Sequence, residues 1–366
     1  MVISDEILKK ILVFVGVIVG HITPSIKICA ITTVSFCYAS LIYFIAASLR
    51  LVLDTYNKLG ISQILLALNA SLIWLTCFLR RKNFSVLIQK LYSIRNCYDI
   101  QNDSSPVIKF FTGILIILLF LVSQGKYFFA SSQSTFTFWT LKSKIPEGFF
   151  KLCIIIVINL ISFATNLFPV FVTFILSIIL YKTAEFFHFY NISLKSQLHT
   201  VKINQQMEFL EDFSIMLKLL RRMNKVMNYP LFFSVVHSLY EIFMALHFLI
   251  LSKNKLNYAY IANVFLAFTY SMAMLLMYSV CSSMVTENMT KVTVTAREIL
   301  NNYIFGSINS IPQNVLLCLR RIETEKIVYI SVCDVFILSK SFILSAIGVA
   351  LTYDLLIINA FTNEWK

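Results

Sequence analysis

LCIIIVINLISFATNLFPVFVTFILSIILY, residues 152–181, runs for 30 residues without a charge. As an α-helix it would rise about 45 Å, and about 20 residues are enough to cross the hydrocarbon core of a bilayer. Its polar side chains are confined to amides and hydroxyls, so the run reads as a membrane span with a margin at one end. Three further charge-free runs flank it: 22 residues between Lys27 and Arg50, 21 between Lys58 and Arg80, and 31 between Lys255 and Glu287. Three more apolar segments each carry one charge, namely 110–130 with Lys126, 229–251 with Glu241 and 341–361 with Asp354. The expectation is an all-α membrane protein of seven transmembrane helices. Composition agrees, since 58% of the residues are hydrophobic and 13% charged, against about 25% charged in soluble domains.

Lysine and arginine set the orientation, because they concentrate in cytoplasmic loops. With the N-terminus inside, the segments 1–27, 80–109, 182–228 and 286–340 hold 22 of the 31 basic residues. The expected organisation is then a cytoplasmic or interfacial segment 1–27, spans one to four in 28–181, and a cytoplasmic helical extension 182–228. Spans five and six follow in 229–285, cytoplasmic helices in 286–340, the seventh span in 341–361 and an extracellular tail in 362–366. Lys9 and Lys10 before ILVFVGVIVG resemble a signal peptide, but that run is ten residues long and leads directly into a full span. An amphipathic helix lying in the interface is the expected form.

A net charge of +13 comes from residues at span ends, where anionic inner-leaflet lipid is the natural partner. No nucleic-acid-binding motif accompanies them. Of the eight cysteines, Cys153 alone is expected near the outer surface, so no external disulfide framework is available. Sequons beginning at Asn69, Asn83, Asn102, Asn191 and Asn288 fall in spans or inside, and the chain is expected to be unglycosylated. Within the extension, Leu210, Phe213, Leu217, Leu220 and Met227 recur at helical spacing with charged residues between them. That face could rest on lipid headgroups or pack on other cytoplasmic helices, such as those in 286–326. Phosphate loops and zinc motifs are absent, and Glu185-x-x-His188 lacks the second copy that a di-iron site needs. Neither an enzyme nor a cofactor or metal site is expected.

Polar residues inside spans carry more information, because burying them in lipid is costly and they tend to face a cavity, a pore or another helix. The outer halves of the spans offer Asn69, Gln124, Asn159, Asn166, Glu241, His247, Thr269 and Tyr270, with Trp74, His237 and Tyr240 nearer mid-depth. Together they could line a small-molecule pocket, although a single Asn or Thr more often bridges two helices. Glu241 stands apart, since an acid on an apolar span needs water, a cation or a donor such as His237 or His247. In the last span, GVALTYDLLIINAF at 348–361, Thr352 and Asn359 continue a seven-residue spacing from Ser345. One narrow polar stripe results, with Asp354 about 200° from Thr352 around the helix. Periodicity fits two arrangements equally: a water path lined by one such helix per subunit, or a helix buried in a monomer with small polar groups as packing contacts.

TYDLLIINAF, residues 352–361, resembles the signature of the insect gustatory receptor family: Thr-Tyr, five mainly hydrophobic residues, then Gln-Phe. Its lead-in CDVFILSKSFILSAIGVALTY (333–353) is also similar, and LLRRMNKVMNYPLFFSVVHSLY (219–240) resembles the family's entry into the fifth span. Asn359 stands for the family's Gln, Phe361 comes one place late after Ala360, and Asp354 takes a usually hydrophobic position. The resemblance implies a tetrameric ligand-gated cation channel in the plasma membrane of sensory neurons, built from like or unlike subunits. It implies a small-molecule ligand in each outer bundle and a central pore for monovalent or divalent cations. Asn359, Thr352 and Ser345 would line that pore, with Ile358 or Leu355 as an apolar constriction able to block ions by dewetting. A non-conducting partner subunit of the same superfamily and the related odorant receptors are the alternatives. A G-protein-coupled receptor would have the opposite orientation, and neither Asp-Arg-Tyr nor Asn-Pro-x-x-Tyr occurs.

Overall fold

The computed structural model describes residues 58–97, 168–197, 203–251, 258–305, 313–333 and 335–363. The expected first and third spans, and residues 152–167 of the fourth, lie outside them. Helices α1 (Lys58–Leu79) and α2 (Arg81–Cys97) are followed by α3 (Phe168–Gln197), α4 (Ile203–Leu251), α5 (Tyr258–Phe305) and α6 (Gln313–Thr324). Strands β1 (Ser331–Val332) and β2 (Phe336–Ile337) then lead into α7 (Lys340–Asn363). Among the described residues, Phe168–Lys195, Asp212–His247 and Val264–Asn302 are long and apolar enough to cross a membrane.

Two of these helices far exceed a bilayer. The 49 residues of α4 and the 48 of α5 extend about 74 and 72 Å, more than twice the roughly 30 Å hydrocarbon core. The expected divisions at 181/182, 228/229 and 285/286 therefore fall inside continuous helices. In α5 the reason is local: the whole helix contains neither glycine nor proline, so nothing stops it where the sequence turns polar. Helix α4 does contain Pro230, which lacks an N–H and leaves the carbonyl of Val226 without its helical donor. Arg80, in the turn between α1 and α2, replaces it. Its Nη1 donates to the Val226 oxygen at 3.1 Å and also to the Lys225 oxygen, and the guanidinium lies 4.6 Å from the centre of the Tyr229 ring.

The core is a seam between α3, α4 and α5. Leu176, Leu180, Ala184 and Phe187 of α3 join Leu275, Tyr278, Cys281, Val285, Met289, Val292 and Ala296 of α5 in one buried cluster. Spacings of three, four and seven put each set on one helix face. Asn288 sits inside this seam and donates to the Ala184 carbonyl at 2.8 Å, so its amide is satisfied. Phe213, Leu217, Leu220 and Met227 of α4 are buried in the same cluster, with Val315, Leu319 and Ile322 of α6. The amphipathic face of the extension thus packs within its own chain rather than on headgroups. At the other end, Ala67, Ala70, Ile73, Trp74 and Cys77 of α1 are buried, while Leu65, Leu68, Leu72, Leu75 and Phe78 form an exposed apolar stripe, suited to lipid.

The segment 286–340, expected to be helical, contains an antiparallel hairpin pairing Ser331 with Ile337 and Val332 with Phe336. The residues entering it, Ile327-Val328-Tyr329-Ile330, are β-branched and aromatic, which favours extended chain over helix. Cys333 in its turn has φ 51°, a left-handed conformation uncommon outside glycine.

Candidate functional site

Ser234, His237, Ser238 and Glu241 recur at three- and four-residue spacing on α4, and all four are buried. Helix α5 meets this face. Ser271 Oγ donates to Glu241 Oε2 at 2.8 Å, and His237 Nε2 stands 3.6 Å from Glu241 Oε1. His237 is fully buried and Glu241 only 6% exposed. A carboxyl group so far from bulk water has to be held by such polar neighbours. On the α3 side Tyr278 donates to Thr173 Oγ1 at 2.7 Å, and Thr173 passes its own hydrogen to the Pro169 carbonyl at 2.7 Å. Trp74 of α1 stacks on Phe168 with ring centroids 3.6 Å apart. The hydroxyl of Tyr270, buried against Val170 and Phe174, has no partner among the described residues. Four helices thus bring amide, hydroxyl, imidazole, carboxyl and aromatic groups to one end of the bundle. Among the described residues, no group of three or more His, Cys, Asp or Glu side chains could hold a metal.

Of the residues singled out in the sequence, His237 and Glu241 come together. Asn69 donates to the Phe233 carbonyl at 3.0 Å and so bridges α1 to α4. His247 stacks on Phe243. Thr269 is exposed and its hydroxyl is bonded to Phe265 of its own helix, on a different side of α5 from Ser271. Gln124, Asn159 and Asn166 lie outside the described residues. Ser271, Thr173 and Tyr278 were not foreseen, because their partners are 30 to 105 residues away in sequence. Ser234 and Ser238 could have been found from their spacing with Glu241. Glu185 pairs with Lys182 at 2.5 Å, and His188 is exposed beside Phe189.

The same two helices fix the start of α7. Asn224 Nδ2 of α4 donates to the Tyr329 carbonyl at 3.3 Å and the Ser331 hydroxyl at 3.4 Å, and Asn228 Oδ1 accepts the backbone N–H of Cys333. From α5, Ser282 Oγ donates to the Leu338 carbonyl at 2.9 Å and Ser283 Oγ accepts the Lys340 N–H at 3.1 Å. Glu287 pairs with the Lys340 ammonium at 2.6 Å, and Phe336 stacks on Phe342 with centroids 4.8 Å apart. Asn228 and Glu241 are 13 positions apart on one helix, about 20 Å.

Among the described residues, α7 touches its own chain along one side only. Ile343 is buried and Ile347 and Ala350 half-buried, whereas Leu344 at 76%, Val349, Leu351, Tyr353, Leu355 and Leu356 are exposed. A methyl group added at Gly348 would meet nothing within 4 Å. At about 100° per residue, Ser345, Thr352 and position 359 lie about 180° from the packed side, while position 354 falls on it. Ser345 and Thr352 are both exposed, with hydroxyls bonded to the carbonyls of Ser341 and Gly348. Leu355 is about 60° from the stripe and position 358 about 120°; Ile358, Asn359 and Phe361 are placed by helix register alone.

No protein-family model and no curated protein matches the chain. Solved structures do. The insect olfactory receptor OR5 from Machilis hrabei in complex with eugenol aligns with a TM-score of 0.71 at 11% identity, covering 97% of this chain and 98% of that one. A second structure of the same receptor aligns with a TM-score of 0.54 at the same identity and coverage. At this identity the likeness speaks to the fold: the chain has an all-α, multi-span membrane fold related to that of insect chemoreceptors.

Proposed function

We propose that the chain is a subunit of a chemosensory ligand-gated cation channel of gustatory-receptor type, working in the plasma membrane of sensory neurons. Four subunits would surround a pore lined by α7. The register of α7 carries this reading: its polar stripe lies opposite the side packed on its own chain, and that stripe is uncovered. An isolated apolar helix exposed around most of its circumference is explained once neighbouring subunits and lipid cover its flanks and water fills the axis. The fold likeness supports the reading, as does the signature-like stretch at 352–361. OR5 has been solved with eugenol, which supports a small-molecule ligand here in the cluster around His237, Glu241 and Ser271.

Mechanism follows from linkage. A ligand opens the pore only by binding the open arrangement better than the closed one. Because α4 and α5 hold both Glu241–Ser271 and the base of α7, a change in their relative position at the first reaches the second without an intervening loop. Leu355 is the better-placed constriction, and Asn359 would form a ring of amides beyond it.

Cysteines introduced one at a time, with current recorded from purified protein in planar bilayers, test the assignment. Positions 345, 352 and 359 should react with permeant thiol reagents in the open state and reduce current, while 343, 347 and 350 should remain silent. Reaction at 354 with silence at 359 would reverse the faces. Purified protein that carries no current under any ligand, yet assembles, would support the non-conducting alternative, which the changed residues Asp354 and Asn359 favour.

A further inference from the structure

Cations gather where α1 meets α4, and among the described residues no carboxylate answers them. Arg80, Arg81 and Lys82 are consecutive, and the Arg80 guanidinium reaches the Lys225 backbone. On α4, Arg222, Lys225 and Tyr229 are three and four positions apart on one face, and all three side chains are exposed. Four other basic residues of this half do pair with carboxylates: Lys182 with Glu185, Arg221 with Glu325, Arg297 with Glu323 and Lys340 with Glu287. Among the described residues, no carboxylate pairs with Arg80, Arg81, Lys82, Arg222 or Lys225. Arg80 is engaged by neutral carbonyls and the Tyr229 ring. Arg81 lies 4.0 Å from the centre of the Phe78 ring and donates to the Phe78 carbonyl at 3.3 Å. Those contacts orient the guanidinium groups and leave their charge uncompensated.

Depth is set by the same residues. The charge-free run 59–79 ends at Arg80, and the apolar run of α4 begins at Pro230, just beyond Lys225. Both helices therefore change from apolar to cationic at one level, with an exposed tyrosine there, as at a membrane–water interface. A phosphate is the anion found at that level, and Arg and Lys are its usual partners.

We propose that Arg81, Lys82, Arg222 and Lys225, beside Tyr229, form a site for the phosphate headgroup of an anionic inner-leaflet lipid, and that a polyphosphorylated headgroup binds it best. The site adjoins the Arg80 contact that lets α4 continue past Pro230, so an occupied site braces α1 against α4. This inference rests on the membrane fold and on the N-terminus-inside orientation, and not on conduction.

The test is native mass spectrometry of the purified full chain titrated with phosphatidylinositol bisphosphate, phosphatidylserine or phosphatidylcholine. The bisphosphate lipid should bind best and phosphatidylcholine weakest, with the difference shrinking as salt rises. Lys82→Gln with Lys225→Gln should weaken the bisphosphate lipid about 30-fold, from roughly fivefold per cation. Lys218→Gln, an exposed change lower on α4, should leave binding intact. Because all three lysines are exposed, thermal stability of the variants should match the parent; if the double variant does not fold, Arg222→Gln alone is read in the same titration and should weaken binding about fivefold. Equal binding of all three lipids, or a folded double variant that binds like the parent, overturns the proposal. Soluble inositol trisphosphate competing as well as the lipid would overturn the lipid assignment and make the ligand a free polyphosphate.

Discussion

Replacing Asn228 by alanine tests whether the hairpin sets α7, the proposed pore helix. Asn228 Oδ1 accepts the N–H of Cys333, a residue held at φ 51°, where a side chain costs of order 1 kcal/mol. Alanine removes that acceptor. A buried donor left unpaired costs about 1–3 kcal/mol, and since Cys333 is half-buried the lower part of that range applies, about 1–2 kcal/mol. If the whole difference falls between closed and open states, the gating equilibrium shifts by about 5- to 30-fold. Spontaneous open probability in planar bilayers reads this without a known agonist, and thermal unfolding shows how much is lost in both states. Asn228→Asp keeps an acceptor and should restore gating to within about twofold. Asn224→Ala should have a smaller effect, because its bonds of 3.3 and 3.4 Å are at the long end for hydrogen bonds. An Asn228→Ala protein with parental open probability and parental stability would refute a role for this joint.

A tag after Lys366 should be stained by antibody on intact cells, whereas a tag before Met1 should require permeabilisation; the opposite pattern would remove the channel reading. Glu241→Gln should shift agonist concentration dependence by about tenfold, because an amide can disturb the bond that the carboxyl accepts from Ser271, with surface expression intact, and lost expression with unchanged response would make the acid structural. Asn359→Ala should change unitary conductance or relative ion permeability, while Asp354→Asn should change subunit assembly or open probability and leave conductance alone, as measured in single-channel records.

Hydropathy was enough to read the class of this protein, because a run such as 152–181 has no reasonable place outside a membrane. It marks where surroundings change and does not say where helices end. The change from charged to apolar at 228/229 marks a change of surroundings, and a helix needs no break there unless its hydrogen bonds fail. Pro230 should have caused such a failure. The donor that prevents it comes from Arg80, 146 residues earlier, and no local pattern announces that pairing. The His237–Glu241 pair was legible for the opposite reason, since four residues of helix bring the two together whatever else the chain does. Ser271, Tyr278 and Thr173 depend on how α3, α4 and α5 pack, so composition and spacing were silent on them. The hairpin was missed because its strands are two residues each, too short for alternation to register, although Ile327-Val328-Tyr329-Ile330 carried the extended preference.

Pro230 divides α4 into unequal arms. Ile203 lies 27 positions below it and Glu241 11 positions above, about 40 and 17 Å along the axis. If the helix pivots at the Arg80 contact, a tilt of about 3° that moves Glu241 by nearly 1 Å carries the lower end about 2 Å the other way. Small displacements at the Glu241 cluster are therefore delivered to the Ile203 end as larger ones of opposite direction, with a leverage set by where a single proline falls. Moving that proline one helical turn toward Ile203, with its guanidinium support, would alter this leverage without replacing any residue of the Glu241 cluster.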